Sequence, residues 1–105
     1  MEVKEMSVQE LKLALDSGAH ITLLDVREEF ERREANIGGH FIPLAELPVR
    51  WEELPKESKL VVYCRSGGRS AYAIEALQRE CGFQNLYNLS GGMLAWLEAG
   101  FPTER

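Results

Sequence analysis

Seven consecutive residues carry a cysteine, two arginines, two serines and two glycines: Cys64-Arg65-Ser66-Gly67-Gly68-Arg69-Ser70. These types suit one chemistry, a cysteine thiolate held in a cradle of backbone N–H groups. The thiolate is the nucleophile, and its population is set by the thiol pKa. The glycines let successive N–H groups turn toward a single point. A helix opening near Arg69 would add unpaired N–H groups and the positive end of its dipole. Cys64 is therefore expected to ionise within the roughly 3.5–7.5 range of activated cysteines. Arg65 and Arg69 favour the anion too, and no Asp or Glu lies between Lys59 and Glu75 to oppose them. Ser66, Gly67, Gly68 and Ser70 are expected to act mainly through their N–H groups. The competing reading of Cys64 is an inert buried thiol, but that role needs neither a glycine turn nor two arginines.

The elements that must position this loop are legible on either side of it. Leu60 to Tyr63 is an apolar run of strand length, and Arg69 to Cys81 places Ala73, Ile74, Leu77 and Cys81 on a helical period before Gly82. Cys81 is expected in the core. Upstream, Val3–Met6 suggests a short edge strand. Ser7 and Glu10 form a capping box for a helix that buries Val8, Leu11, Ala14 and Leu15 and stops near Gly18. Ile21 to Val26 reads as a strand buried on both faces. Glu28 to Ala35 reads as a charged helix anchored by Phe30, and Phe41-Ile42 as a very short strand. Leu44 to Leu54 reads as a broken helix with Trp51 and Leu54 inward. Asn85–Leu89 is expected as a strand, and Met93–Ala99 as a helix anchored by Leu94, Trp96 and Leu97. Strands alternating with helices argue for an α/β fold with a parallel sheet. Asp25 and Cys64 then lie at the carboxyl ends of strands, the edge where ligands bind in such sheets. That places Asp25, Arg27 and Cys64 near one another.

Composition narrows the function. The chain has 105 residues, the size of one domain spanning 1–105, with 45% hydrophobic and 28% charged residues. A net charge of −5 disfavours nucleic-acid binding. No apolar stretch approaches a membrane span, and the first ten residues hold Glu2, Lys4, Glu5 and Glu10 rather than a signal sequence. A cytoplasmic location is the expectation. The two cysteines, Cys64 and Cys81, lack zinc-ligand spacing, and His20 and His40 are remote in sequence, so neither a metal site nor a disulfide is expected.

Four segments carry a more specific signal. The loop at Cys64–Ser70 resembles the active-site loop of the rhodanese family, the thiosulfate sulfurtransferases. Leu24-Asp25-Val26-Arg27-Glu28-Glu29-Phe30 resembles that family's upstream Asp-Val-Arg motif. Ile37-Gly38-Gly39-His40-Phe41-Ile42-Pro43-Leu44 is similar to its middle segment. Gly91-Gly92-Met93-Leu94-Ala95-Trp96, with Gly100-Phe101-Pro102, is similar to its closing helix. The four occur in the family's order and cover nearly the whole chain. The resemblance implies a three-layer α/β fold, a five-stranded parallel sheet in order 1-5-4-2-3 flanked by helices.

It also implies a mechanism. Cys64 would take a sulfane sulfur from an anionic donor such as thiosulfate, hold it as a persulfide, and pass it to a thiophilic acceptor. Cyanide would serve in an assay, and a thiol or a protein in the cell. No cofactor is implied. Arg65 is assigned to the donor's oxyanion and Arg69 to holding the loop, paired with Asp25. Asp25 and Arg27 are expected to support the site from behind; the competing readings are that Asp25 merely caps a turn and that Arg27 forms only a local ion pair with Glu28. Other readings remain: a persulfide carrier for cofactor or tRNA sulfuration, a cysteine phosphatase or arsenate reductase, and a non-catalytic binding module. Loop length bears on the phosphatase. Cysteine phosphatases place five residues between cysteine and arginine, which would put the arginine at position 70. Here position 70 is Ser70, and the arginine comes one residue early.

Overall fold

The computed structural model describes residues 2–105. Five strands form one all-parallel sheet: β1 (Glu5–Met6), β2 (Ile21–Asp25), β3 (His40–Phe41), β4 (Lys59–Tyr63) and β5 (Leu86–Leu89). Their spatial order is β1-β5-β4-β2-β3. The helices are α1 (Val8–Asp16), α2 (Glu29–Glu34), α3 (Leu47–Arg50), α4 (Gly68–Cys81) and α5 (Gly92–Glu98), with short 3-10 turns at Leu44–Glu46 and Trp51–Glu53 flanking α3. The capping box at Ser7 forms in both directions, Glu10 N–H to the Ser7 hydroxyl at 3.0 Å and Ser7 N–H to the Glu10 carboxylate at 2.8 Å. The broken helix over 44–54 follows from Pro48, which is tolerated in the first turn of α3 and not deeper in a helix.

β4 lies at the centre of the sheet, paired with β2 on one side and β5 on the other. Successive side chains of a strand point to opposite faces. Leu60, Val62 and Cys64 therefore join Leu24, Val26, Ile42, Ile74, Leu77 and Phe83 in one buried layer. Val61 and Tyr63 join Met6, Leu11, Leu23, Leu89, Met93 and Trp96 in the other. With both faces covered, β4 has no polar alternation, which is why it reads as an unbroken apolar run. Burial of Tyr63, with Asp25 nearby, pushes its phenol up to about 12. The neutral hydroxyl donates to the Gly38 carbonyl at 3.0 Å and accepts from Ile37 N–H at 3.3 Å.

Three expected anchors are not in the core. Phe30 is 63% exposed, and α2 buries Glu31 in its place. In α5, Trp96 is buried but Leu94 and Leu97 are exposed. Trp51 is half-buried against the core and Leu54 is buried in it. Cys81 is half-buried at the end of α4. Among the described residues no helix is long and apolar enough to cross a membrane.

Candidate active site

Cys64 follows the last residue of β4, and its sulfur sits inside the turn that leads into α4. Gly67 N–H points at Sγ from 3.1 Å and Ser70 N–H from 3.4 Å. The Ser70 hydroxyl lies 3.3 Å from the sulfur. The turn requires Gly67 to adopt φ +108°, a left-handed conformation that other residues take only at a cost. Burial pushes the thiol pKa up. The Ser70 hydroxyl, the Ser70 and Gly67 N–H groups and the Ser66 N–H outweigh burial, and the net displacement is downward. Of the N–H groups expected to converge on the sulfur, those of Ser66, Gly67 and Ser70 do so and that of Gly68 does not, while Ser70 also contributes its side chain.

A second clamp holds the loop from the far side. Met93 N–H donates to the Cys64 carbonyl at 2.9 Å and Leu94 N–H to the Arg65 carbonyl at 3.0 Å. These are otherwise unpaired donors in the first turn of α5. They reach the loop because Gly92 has no side chain: a Cβ there would lie 2.4 Å from the Cys64 carbonyl oxygen and 2.7 Å from the Arg65 carbonyl carbon.

The charged residues pair differently from the sequence expectation. Arg69 does not meet Asp25. Its guanidinium makes two 2.8 Å bonds to the Glu31 carboxylate, joining the start of α4 to α2. Asp25, fully buried, is bound by Arg27 through Nε at 2.9 Å and Nη2 at 2.8 Å, with Arg32 at 3.4 Å. Arg27 therefore pairs with Asp25 rather than Glu28, and its Nη2 also donates to the Ala35 carbonyl at 2.8 Å. Because Val26 N–H bonds the Tyr63 carbonyl, the Asp25–Arg27 pair sits beside the end of β4. Arg65 is exposed. Together with Arg27 it lines a groove of about 390 Å³ whose other walls include Phe30, Met93, Leu94 and Leu97. The apolar residues missing from the core thus border the loop. Among the described residues no cluster of His, Cys, Asp and Glu could hold a metal ion.

Two participants escaped the sequence reading. Glu31 lies 38 positions before its partner, among several glutamates of equal promise. Asn88, on β5, is buried and accepts the Ser70 hydroxyl through its Oδ1. Its one sequence signal is a polar residue inside an otherwise apolar strand.

The Glu31–Arg69 pair makes stability depend on pH. The Arg69 guanidinium outweighs partial burial and holds the Glu31 carboxyl down at about 2, below the usual carboxylate range. A depressed carboxyl stabilises the fold above its unfolded pKa of about 4.3. That contribution falls away as pH drops from there toward 2. The denaturant midpoint of the protein is expected to fall over this window, and to fall less in Glu31→Gln. An equal acid slope in the variant would remove Glu31 from the account.

Comparison with known proteins agrees with this geometry. A family model described as a rhodanese-like domain matches residues 7–99. A sulfurtransferase of Allochromatium vinosum is 34% identical over 101 residues, covering 95% of this chain and 94% of its own. The crystal structure of a rhodanese-related protein from Thermoplasma volcanium superimposes with a TM-score of 0.86 at 32% identity, covering 96% of this chain and 97% of that one. A thiosulfate sulfurtransferase from Pseudomonas aeruginosa gives a TM-score of 0.85 at 27% identity, covering 98% of this chain but 20% of the longer neighbour.

Proposed function

The chain belongs to the rhodanese-like sulfurtransferase family, and within it we propose a transferase that carries sulfane sulfur on Cys64, taking it from thiosulfate or a related anionic donor. The observation that carries this reading is the sulfur's position inside the loop, with the N–H groups of Gly67 and Ser70 directed at Sγ. In the first half-reaction the thiolate attacks the outer sulfur of thiosulfate. A new S–S bond forms to Cys64, the donor S–S bond breaks, and sulfite leaves with its electron pair. Cys64 now holds a persulfide, whose terminal sulfur carries the charge. The preorganised donors stabilise that anion as they stabilised the thiolate, the same principle as an oxyanion hole. In the second half-reaction an acceptor thiolate, or cyanide, attacks the terminal sulfur, and the Cys64 thiolate is the leaving group. Transfer in two covalent halves predicts ping-pong kinetics.

Loop length supports sulfur over phosphorus. Arg69 arrives one residue too early to clamp a phosphoryl group, and its guanidinium is already engaged by Glu31. Arg65 is the cation left at the mouth, and its planar donors suit the oxygens of thiosulfate. Treatment with thiosulfate followed by mass spectrometry is expected to add one sulfur to the peptide containing Cys64. Robust aryl-phosphate hydrolysis, lost in Cys64→Ser, would overturn the assignment. Arg65→Ala is expected to raise the KM for thiosulfate roughly tenfold, the scale of a charge-assisted hydrogen bond. Transfer from an uncharged persulfide donor should change little. Equal losses with both donors would mean that Arg65 shapes the loop instead.

A further inference from the structure

The hydrogen bonds around Asn88 determine which way its amide faces. Nδ2 lies 3.2 Å from the Gly67 carbonyl oxygen and 3.2 and 3.3 Å from the two carboxylate oxygens of Glu5 on β1. Ser90 donates to the same carboxylate at 2.7 Å. A carbonyl and a carboxylate only accept, so the amide nitrogen must face them. The other end, Oδ1, is then an acceptor aimed at Ser70, and the Ser70 hydroxyl must be the donor between them. A hydroxyl has one proton. With that proton on Asn88, Ser70 Oγ can only accept from the Cys64 thiol, 3.3 Å away. Once Cys64 is a thiolate it has no proton to give, and it becomes a second acceptor for the same hydroxyl.

We propose that Asn88 is a positioning residue that competes with the Cys64 sulfur for the single Ser70 proton, making Ser70 a donor that changes partner with the state of the cysteine. In the free thiolate the hydroxyl turns to Sγ. When Cys64 carries a sulfane sulfur, Sγ is an uncharged divalent sulfur and a weak acceptor, and the proton returns to Asn88 Oδ1. Asn88 thus keeps a fully buried hydroxyl satisfied in the loaded state, where an unpaired one would be costly. It also raises the cost of forming the thiolate in the free state. No bond between heavy atoms forms or breaks in this exchange. It rests on Cys64 as the reacting sulfur.

The charged groups on the surrounding elements are Arg65 in the loop, the Arg69–Glu31 pair from α4 and α2, the Asp25–Arg27 pair at the end of β2, and Glu5 on β1. Asn88→Ala leaves each of these charges in place; Glu5 loses its contact with Nδ2 and keeps the Ser90 hydroxyl as a donor. The substitution removes the competing acceptor, so the Cys64 pKa, read from the pH dependence of iodoacetamide alkylation, is expected to fall. The scale of one hydrogen bond gives a fall of about half to one unit, or about 3- to 10-fold more thiolate at fixed pH. Ser70→Ala is expected to raise the pKa, and Asn88→Ala added to Ser70→Ala is expected to shift it no further. A role in packing alone would move the pKa equally in both backgrounds. The same coupling is readable without altering Asn88: its side-chain carbonyl carbon resonance should titrate with the Cys64 midpoint, and stop doing so in Ser70→Ala. A rise in pKa on Asn88→Ala, a shift that persists without Ser70, or a flat Asn88 resonance would each overturn the proposal. Alkylation reads the thiol whether or not the protein turns over thiosulfate, so failure here is distinct from failure of the sulfurtransferase reading.

Discussion

Cys64→Ser is expected to reduce sulfur transfer to the uncatalysed background while leaving the fold in place. A serine hydroxyl fits the same position and meets the same N–H donors, but it is not ionised at neutral pH. Cys81→Ser is the control. Cys81 lies at the far end of α4, a 14-residue helix, so roughly 20 Å of helix separates it from the loop. A disulfide needs Cα atoms within about 7 Å, so Cys81 cannot resolve a persulfide on Cys64 within one chain. Burial and the charge of Glu80 also push its pKa up, away from the thiolate. The variant should keep most activity and lose about 1 kcal/mol of stability, the ordinary scale for a half-buried substitution. Steady-state cyanolysis of thiosulfate, with thermal melts of both variants, measures the difference. Equal loss of activity in the two would sink the single-cysteine mechanism.

The second large effect is expected at Gly92, outside the loop. Its φ of +54° is one that L side chains resist, at about 1–2 kcal/mol. Its Cβ would also press into the backbone of Cys64 and Arg65, which has no side-chain freedom with which to yield. Gly92→Ala must push α5 and the loop apart, breaking the Met93 and Leu94 hydrogen bonds to the loop carbonyls. Stability is expected to fall by more than the backbone cost alone. The cradle should open, so the Cys64 thiol pKa should rise toward the ~8.5 of a free thiol. Gly68→Ala is the contrast: a Cβ at Gly68 meets nothing within 4 Å, its φ is ordinary, and it opens α4. Alanine keeps the N–H and has the better helix propensity, so this change should be neutral or mildly stabilising. Denaturant midpoints and alkylation profiles for the pair decide it. A wild-type profile in Gly92→Ala would mean that α5 does not shape the cradle.

Much of the site was open to local reading because its parts are consecutive. A buried strand, a cysteine, a glycine turn and a helix start occupy one stretch, and each is set by composition and period over a few residues. The same locality made the capping box at Ser7 and the ends of α4 legible. The expectation of no opposing acid near the loop was right for the stretch itself and incomplete for the fold, because Glu31 arrives from α2.

Which residue meets which across elements is a different kind of information. Successive residues of a helix are about 100° apart, so a small rotation of α2 decides whether Phe30 or Glu31 faces inward. The short charged stretch Glu28–Ala35 has too weak an apolar stripe to set that rotation. Arg69 provides a buried partner for Glu31, and Phe30 is left beside the groove. Asn88 and Gly92 are decided in the same way: one beside Val62 in the sheet register, the other against the carbonyls of Cys64 and Arg65. By itself the sequence determined a cysteine at the end of a buried strand, its turn, its helix and the order of the elements along the chain, because those depend on near neighbours. The guanidinium clamp on Glu31, the Asn88–Ser70 contact and the α5 cap came only with the tertiary structure, because they depend on how packed elements are rotated and spaced.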